Sequence, residues 1–317
     1  MRYLIVGAGA LGGYYGGRLL EAGCDVTFLV RPRRAKVLAE RGLRVRSRFG
    51  DIDISAPPCV LADALKARYD IVVVAPKAYD LEETMESFAA AVGESTAVLP
   101  LLNGLRHIDV LQGRFGLDRV LGGVCLISAT LDADGTIRHL NDLHGLLFGE
   151  LDGSSSVRVR AMAADFSRAK FEGRLSDQIV QDLWEKWLFI AAAAGMTCLM
   201  RASIGDIVAA GAAELSLALV DECAAITAAC GHAPAPASLD RARAVLTAAG
   251  SPMTASMLKD IERGAKIEAD HIIGDLLARA PGGPASKPLL AVVHAHLQTY
   301  EARRAREAVG GNAVLRP

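Results

Sequence analysis

The sequence predicts an α/β protein in which a parallel sheet with crossover helices is followed by a helical half. Short apolar runs alternate with helix-forming stretches over the first hundred residues, and a glycine-rich turn follows the first run. After residue 176 nearly all of the chain is helix-forming and rich in Ala and Leu. Repeated strand–helix–strand units are typical of a parallel sheet. Since 317 residues suit two domains, we place them at residues 1–175 and 176–317.

The elements of the sheet can be assigned in order. Fully apolar runs predict buried strands, helical spacing of apolar residues predicts helices that stop at Gly23 and Gly42, and alternation around Gly50 predicts a hairpin. The resulting order is strand Tyr3–Val6, helix Leu11–Ala22, strand Val26–Val30, helix Arg33–Arg41, hairpin Leu43–Arg48 with Asp51–Ser55, and strands Ile71–Val74 and Thr96–Leu102.

The pattern changes between Val120 and Gly149. Extended runs there are interrupted by Asp134-Gly135 and by Asp142 and Gly145, which predicts antiparallel strands at the edge of the sheet. In the helical half, prolines are expected to separate the helices. These prolines are Pro234, Pro236, Pro252 and those of the stretch Pro281–Pro284.

Composition narrows the class of protein. The net charge of −1 does not favour nucleic acid or an anionic membrane as a partner. The first apolar run leads directly into glycines, unlike a signal peptide, and the longest weakly polar run, Trp187–Met200, is too short to span a bilayer. The six cysteines form no CxxC pair, which is typical of free thiols in a reducing compartment. We therefore expect a soluble, cytoplasmic protein.

A dinucleotide-binding motif follows the first strand. The segment GAGALG at residues 7–12 fits GxGxxG between a strand and a helix, which is the context that this motif requires. The first glycine allows the tight turn, the second lets a pyrophosphate approach the backbone, and the third lets helix and strand pack closely. The helix N-terminus offers free N–H groups to the phosphates. The expected cofactor-binding residues are Gly7, Gly9, Ala10, Leu11 and Gly12.

The end of the second strand indicates which dinucleotide binds. A carboxylate there would accept a hydrogen bond from the ribose 2′-hydroxyl of NAD, but the chain has Arg31 instead. A guanidinium can bind two oxygens of a 2′-phosphate, so Arg31 predicts NADP as the cofactor. The alternative is a solvated basic helix start, which is our preferred interpretation of Arg33 and Arg34.

Two polar residues follow the next two strands. Ligands of open α/β sheets bind outside the carboxyl ends of the strands, which places Lys77 and Asn103 near a bound cofactor. Lys77 would contact phosphate or ribose, and Asn103 the nicotinamide ribose or a substrate oxygen. An exposed surface lysine and a simple Asn-Gly turn are the alternatives.

Lys186 is the best candidate for a catalytic acid. On a helix its surface neighbours are Leu183, Phe189 and Ile190, all apolar. Desolvation in an apolar cleft lowers the pKa of a lysine, so that its ammonium group can give up a proton near neutral pH. A lysine whose head group extends to solvent from a half-buried helix is the alternative.

These residues carry a resemblance to the ketopantoate reductase (2-dehydropantoate 2-reductase) family over essentially the whole chain. The matching pieces are GAGALGG at 7–13, Arg31, APKAY at 75–79, LLNG at 101–104, the WEKW helix around Lys186, RASIG at 201–205 and SMLKDIERGAKIEADHIIG at 256–274. The resemblance implies a Rossmann-like, doubly wound first domain and a helical second domain similar to the C-terminal domain of 6-phosphogluconate dehydrogenase. It also implies that NADPH reduces a 2-oxo acid in a cleft between them.

The resemblance also implies roles for individual residues. Lys186 matches the family's proton donor, and Asn103 an asparagine that touches cofactor and substrate. Ser256 matches a residue that holds the substrate, and Glu268 an acidic residue at the junction of cofactor and substrate. Without the resemblance, Ser256 would be interpreted as a helix N-cap and Glu268 as a solvent-facing charge.

The chain departs from the family at positions one and two turns beyond Lys186. Family members usually have asparagines there, whereas this chain has Ile190 and Ala194. Losing polar anchors weakens discrimination for a hydroxylated substrate, so a bulkier or more apolar 2-oxo acid is an alternative to ketopantoate. Two other interpretations of the chain are a protein that binds NADPH but has lost its catalytic activity, and a related dehydrogenase with a different substrate.

His294 and His296 lack a third ligand, so we expect no metal site. The Ala-rich helical half offers a possible homodimer interface.

Overall fold

The computed structural model describes residues 1–66 and 68–313, with side chains described as far as residue 308. The chain forms two compact units, one from Met1 to Leu183 and the other from Trp184 onward. Residues 314–317, which end the predicted helical domain, lie outside the described residues.

The first unit holds the strands of the protein, and its helices connect them. The strands are β1 (Arg2–Val6), β2 (Asp25–Leu29), β3 (Leu43–Arg46), β4 (Ile52–Ile54), β5 (Cys59–Val60), β6 (Ile71–Val74), β7 (Ala97–Pro100), β8 (Leu121–Leu131), β9 (Ile137–Glu150) and β10 (Glu172–Leu175). The helices are α1 (Ala10–Glu21), α2 (Pro32–Arg41), α3 (Leu81–Phe88), α4 (Arg106–Phe115) and α5 (Val157–Phe166).

Five of these strands form the parallel sheet that the sequence predicts. Their order is β5-β2-β1-β6-β7, and every pairing is parallel. The chain moves outward from β1 through β2 to β5, then returns to the other side of β1 for β6 and β7. This reversal is the doubly wound arrangement, and it confirms the predicted fold class.

The remaining strands form a second sheet, and here one prediction is wrong. The hairpin around Gly50 exists as antiparallel β3–β4, and β8 pairs antiparallel with β9. However, β8 and β9 join β3, β4 and β10 in a separate sheet, and β7 at the edge of the parallel sheet is connected to this region by a parallel bridge between Val98 and Val120, the residue before β8. Asp142 and Gly145 do not end a strand, since β9 continues through both; the pairing instead shifts register between Ile127 and Ala129 of β8.

The second sheet packs against helix α1. This helix is buried from Gly12 to Leu19. A Cβ atom on Gly16 would lie 2.6 Å from the Phe28 ring of β2, and one on Gly13 would lie 2.3 Å from Ile137 Cδ1 of β9. Glycines on two neighbouring faces of α1 therefore let both sheets pack directly against the helix backbone. Tyr14 and Tyr15 of α1 are buried as well.

The second unit is helical where it is described. Its helices are α6 (Ile179–Met200), which begins in the first unit, α7 (Ile204–Ala209), α8 (Ala213–Ala229), α9 (Pro236–Leu246), α10 (Ser256–Glu262), α11 (Asp275–Ala278) and α12 (Pro288–Ala313). Pro236 begins α9, in agreement with its predicted role as a helix separator, and Pro288, which is not one of the predicted separators, begins α12. A π-helical turn, Asp270–Gly274, precedes α11.

Helix α6 is longer than the weakly polar run recognised in the sequence. It has 22 residues and, within the part of the chain that is described, is the one helix with the length and apolar composition to cross a membrane. Because 67% of its most apolar window is buried inside the protein, it has the surroundings of a core helix.

Candidate active site

The carboxyl ends of four parallel strands lie side by side in the first unit. Val6 of β1 pairs with Leu29 of β2 on one side and with Val74 of β6 on the other, and Val74 pairs with Pro100 of β7. The loops that follow these residues therefore leave the sheet at the same edge. Strand order reverses between β1 and β6, and open α/β sheets bind ligands at such a switch point.

The glycine-rich loop after β1 has the shape that a pyrophosphate needs. Gly7 adopts a φ of 96°, which favours glycine, and its N–H donates to the Leu29 carbonyl over 2.9 Å. A Cβ atom on Gly12 would lie 2.1 Å from the Gly7 carbonyl oxygen, so only glycine lets α1 start this close to the loop. Around Gly9, by contrast, a Cβ atom would meet nothing within 4 Å, which leaves room for a ligand.

The N-terminus of α1 suits an anion. Gly9 is its N-cap and provides no side-chain hydrogen bond, and the first turn, which contains Ala10 and Leu11, has no acidic residue. The first N–H groups of the helix and the positive end of its dipole thus face the loop without a competing carboxylate from that turn. The geometry of the loop therefore fits a dinucleotide phosphate.

Arg31 lies directly before α2, as its N-cap residue, and its side chain is 62% exposed. Its guanidinium forms ion pairs with Glu83 at 3.3 Å and with Asp80 at 3.7 Å. The predicted phosphate ligand is thus at the expected strand end, and two carboxylates contact it there.

Arg34 differs from the solvated residue that the sequence predicts. Its Nε donates to the Ala8 carbonyl of the glycine loop over 2.9 Å, and its Nη1 donates to the Gly135 carbonyl in the β8–β9 turn over 3.1 Å. Its Nη2 is buried without a hydrogen-bond partner among the described residues. Burial lowers the pKa of this guanidinium. The sequence around Arg34 could not predict these contacts, because both partners are backbone carbonyls of residues that are distant in sequence.

Lys77 and Asn103 follow β6 and β7 at the same edge of the sheet. Lys77 is half-buried at the start of a 3₁₀ turn, Ala78–Asp80, and the adjoining Ala75 N–H donates to the Val6 carbonyl. Asn103 is half-buried, and the φ of 76° at Gly104 shows that the Asn-Gly pair makes a turn. The turn holds Asn103 at the strand end, so the two interpretations of this pair are compatible.

Lys186 lies in the middle of α6 and is half-buried. Its helical neighbour Leu183 is 3% exposed, and the adjacent Trp187 is completely buried. The Trp187 indole Nε1 donates to the carbonyl oxygen of Ile272 over 2.8 Å, which ties this part of α6 to the π-helical turn.

Glu268 is not the solvent-facing helical charge that its position alone predicts. It is 9% exposed and lies just before the π-helical turn, where its carbonyl accepts from the Ile272 N–H over 2.9 Å. π-Helical turns occur frequently at functional sites. Because Trp187 also binds Ile272, Glu268 and Lys186 belong to segments that are joined within the helical unit.

Ser256 is exposed and is not a helix N-cap. Ala255 holds the N-cap position of α10, which has no side-chain cap, and Ser256 is the first helical residue. The Ala255 N–H donates to Thr197 Oγ1 of α6 over 3.3 Å, so α6 contacts the start of α10 as well. Between Lys186 and Thr197, α6 carries half-buried Ile190 and buried Ala194.

Histidines of α12 do not assemble a metal site. His294 Nε2 lies 3.3 Å from Asp270 Oδ1 and 3.1 Å from Gln298. Across residues 1–66 and 68–313 there is no group of three or more His, Cys, Asp or Glu side chains that could hold a metal ion.

Two family models match the chain. The model described as "Ketopantoate reductase PanE/ApbA" matches residues 3–153, and the model described as its C-terminal part matches residues 178–301. A relative from Bacillus subtilis, "Uncharacterized oxidoreductase YkpB", is 38% identical over 305 residues, which cover 96% of this chain and 100% of the relative.

Solved structures share the fold. A 2-dehydropantoate 2-reductase from Geobacter metallireducens is 28% identical with a TM-score of 0.84, covering 94% of this chain and 99% of its own. A D-mandelate dehydrogenase, solved with NADH and anilino(oxo)acetate, has a TM-score of 0.85 at 19% identity over 96% of this chain and 100% of its own. These likenesses extend over both units of the chain.

Proposed function

The chain belongs to the ketopantoate reductase family of oxidoreductases, and from this we propose that it uses NADPH to reduce a 2-oxo acid to the corresponding 2-hydroxy acid. The observation that carries the proposal is the glycine-rich loop at the switch point of the parallel sheet, whose geometry suits a dinucleotide phosphate. When bound, NADPH would supply the hydride that the keto carbon accepts. Gly7, Gly9 and Gly12 hold the pyrophosphate, and the backbone of Ala10 and Leu11 donates to it.

Arg31 and Lys77 provide the positive charge for the adenosine end of the cofactor. Arg31 follows β2 and Lys77 follows β6, so they flank the loop that follows β1. A guanidinium can bind two phosphate oxygens at once, whereas an ammonium acts as a compact point charge. We assign the 2′-phosphate of NADP to Arg31.

Lys186 donates the proton that the developing alkoxide needs. Its ammonium group belongs to a half-buried stretch of α6, beside Leu183 and Trp187, where an alkoxide interacts more strongly with a cation than in water. Asn103, Ser256 and Glu268 orient the reactants: the amide of Asn103 binds cofactor and substrate, the Ser256 hydroxyl holds the substrate, and Glu268 contacts both.

The substrate is proposed to be bulkier or more apolar than ketopantoate. Ile190 and Ala194 supply no hydrogen bonds at positions that face the same side of α6 as Lys186. An apolar surface there favours a hydrocarbon substituent over a hydroxylated one. The D-mandelate dehydrogenase of the same fold, solved with anilino(oxo)acetate, makes an aromatic 2-oxo acid a sensible member of a substrate panel.

The test is NADPH consumption across 2-oxo acids that include ketopantoate, branched aliphatic acids and phenylglyoxylate. We expect turnover to be highest with an apolar acid. We expect Lys186→Ala to lower kcat by about 10²- to 10⁴-fold, the usual contribution of a positioned acid. Lys170→Ala, which removes an exposed lysine paired with Glu21, is the matched control and should leave kcat unchanged.

Two results would contradict the proposal. Full turnover by the Lys186→Ala protein would remove the assigned proton donor. NADPH binding without turnover of any acid in the panel would favour a dinucleotide-binding protein that has lost its chemistry, the alternative that Ile190 and Ala194 keep open.

A further inference from the structure

Two acidic residues contact the arginine that the proposed function assigns to the 2′-phosphate. Arg31 Nη2 lies 3.3 Å from Glu83 Oε2, and Arg31 Nη1 lies 3.7 Å from Asp80 Oδ2. Asp80 closes the 3₁₀ turn after β6, and Glu83 lies in the first turn of α3. The contacts therefore join the segment after β2 to the segment after β6.

This connection crosses the position where the cofactor is expected. In the parallel sheet β1 lies between β2 and β6, and the glycine-rich loop follows β1. A side chain that reaches from the end of β2 to residues beyond the end of β6 spans the carboxyl end of β1. The adenosine ribose of a dinucleotide binds at this end of the sheet, next to the residue after β2.

We propose that Asp80 and Glu83 are specificity-determining residues that reduce the preference of this protein for NADPH over NADH. The inference rests on the proposed function, since it concerns the same cofactor site. A 2′-phosphate carries nearly two negative charges. To bind Arg31 it must displace the two carboxylates from the guanidinium, and it then remains close to both of them. The 2′-hydroxyl of NADH carries no charge and can donate a hydrogen bond to a carboxylate.

Arg31, Asp80 and Glu83 are exposed enough for a phosphate to replace the carboxylates at the guanidinium. The side chain of Arg31 is 62% exposed, that of Glu83 76% and that of Asp80 36%. Exposed ion pairs are weak and are screened by salt, so a phosphate can displace the carboxylates from the guanidinium. The carboxylates are on a 3₁₀ turn and on the first turn of α3, so they stay close after displacement and their repulsion of the phosphate persists.

Removal of the carboxylates tests the inference. We would measure the dissociation constants of NADPH and NADH by calorimetry on the full chain, for Glu83→Gln, Asp80→Asn and the double variant. Across several ångströms of water, each lost charge should tighten NADPH binding about threefold, and both about tenfold. NADH binding should stay constant or weaken, and the difference should shrink in high salt.

Glu82→Gln is the matched control, because it removes the same charge from an exposed position one residue away on α3. It should leave the ratio of the two dissociation constants unchanged. NADPH binding that weakens in the double variant, or a ratio that stays at the wild-type value, overturns the inference while leaving the proposed function intact. Failure of the wild-type protein to bind either dinucleotide overturns both.

Discussion

Two arginines at the start of α2 have the same sequence context and different surroundings. Arg31 is exposed and contacts carboxylates, whereas Arg34 reaches two backbone carbonyls, one in the glycine-rich loop and one in the β8–β9 turn. Arg34 therefore holds the backbone of the loop, whereas Arg31 is proposed to act on the ligand by its charge. The two roles predict different effects on the two dinucleotides.

We expect Arg34→Ala to weaken the binding of NADPH and NADH alike, by about five- to tenfold. The reason is that the loop loses a hydrogen bond from a charged donor to the Ala8 carbonyl, a contact worth about 1.5 kcal/mol. Arg31→Ala should instead weaken NADPH binding selectively, because NADH has no 2′-phosphate. Calorimetric titration of each variant with both dinucleotides measures the contrast.

Arg33→Ala provides the control, since Arg33 is an exposed residue between the other two. It should change neither dissociation constant by more than about twofold, as for most surface substitutions. A selective loss of NADPH binding in Arg34→Ala would mean that Arg34, and not only Arg31, recognises the 2′-phosphate.

Helix α1 is the element on which the first unit is built. The parallel sheet and the second sheet pack against neighbouring faces of this helix, with glycines at both contacts. Its buried Arg18 is held by Glu21 at 3.0 Å and by the Gly50 carbonyl at 2.6 Å, and the guanidinium lies 5.2 Å from the centre of the Tyr14 ring. The helix that follows the glycine-rich loop is thus held by contacts with both sheets.

We expect Gly16→Ala to destabilise the protein by about 1–3 kcal/mol, despite the better helix propensity of alanine. The added Cβ would lie 2.6 Å from the Phe28 ring and 3.0 Å from Ile5, within a closely packed core. Denaturant unfolding of the wild-type and variant proteins measures the free-energy difference.

Gly113→Ala in α4 is the control that measures the effect of helix propensity without a change in core packing. A Cβ atom there would meet nothing within 4 Å, so the variant should gain up to about 1 kcal/mol from propensity alone. An equal gain at Gly16 would show that the contact between α1 and β2 is looser than the distances indicate.

At the scale of the whole molecule, the first turn of α6 belongs to the core of the first unit. Ile179 is 1% exposed, and Gly122 of β8 and Gly149 of β9 lie against it. A Cβ atom on Gly122 would come within 2.6 Å of Ile179 Cγ1. The start of α6 is therefore packed within the first unit.

We expect Ile179→Ala to lower the free energy of unfolding by about 2–4 kcal/mol, because the substitution leaves a cavity beside β8 and β9 that their glycines cannot fill. Ile179→Val, which removes one methylene, should cost about 1 kcal/mol. Chemical denaturation monitored by circular dichroism measures both values. Equal stability of the alanine variant and the wild type would show that α6 is not anchored here.

Sequence reasoning was most successful where structure depends on local chemistry. Short apolar runs identified β1, β2, β6 and β7, and glycines and prolines marked where helices stop or start, because each of these signals depends only on neighbouring residues. The pairing of β8 and β9 in a separate sheet was missed, since a strand pattern indicates which residues are extended but not which strand they join.

Periodicity and glycine positions are local properties, so the amino-acid sequence is enough to predict a doubly wound sheet with a glycine-rich loop after its first strand, followed by a helical half. The folded structure was needed to see that Arg34 supports that loop, that Arg31 contacts Asp80 and Glu83, and that Glu268 is buried. The contacts of Arg34 and Arg31 join residues that are between 26 and 101 positions apart, and the burial of Glu268 depends on which side of its segment faces the core. The packing of the folded chain determines both the long-range contacts and the side of each element that faces the core.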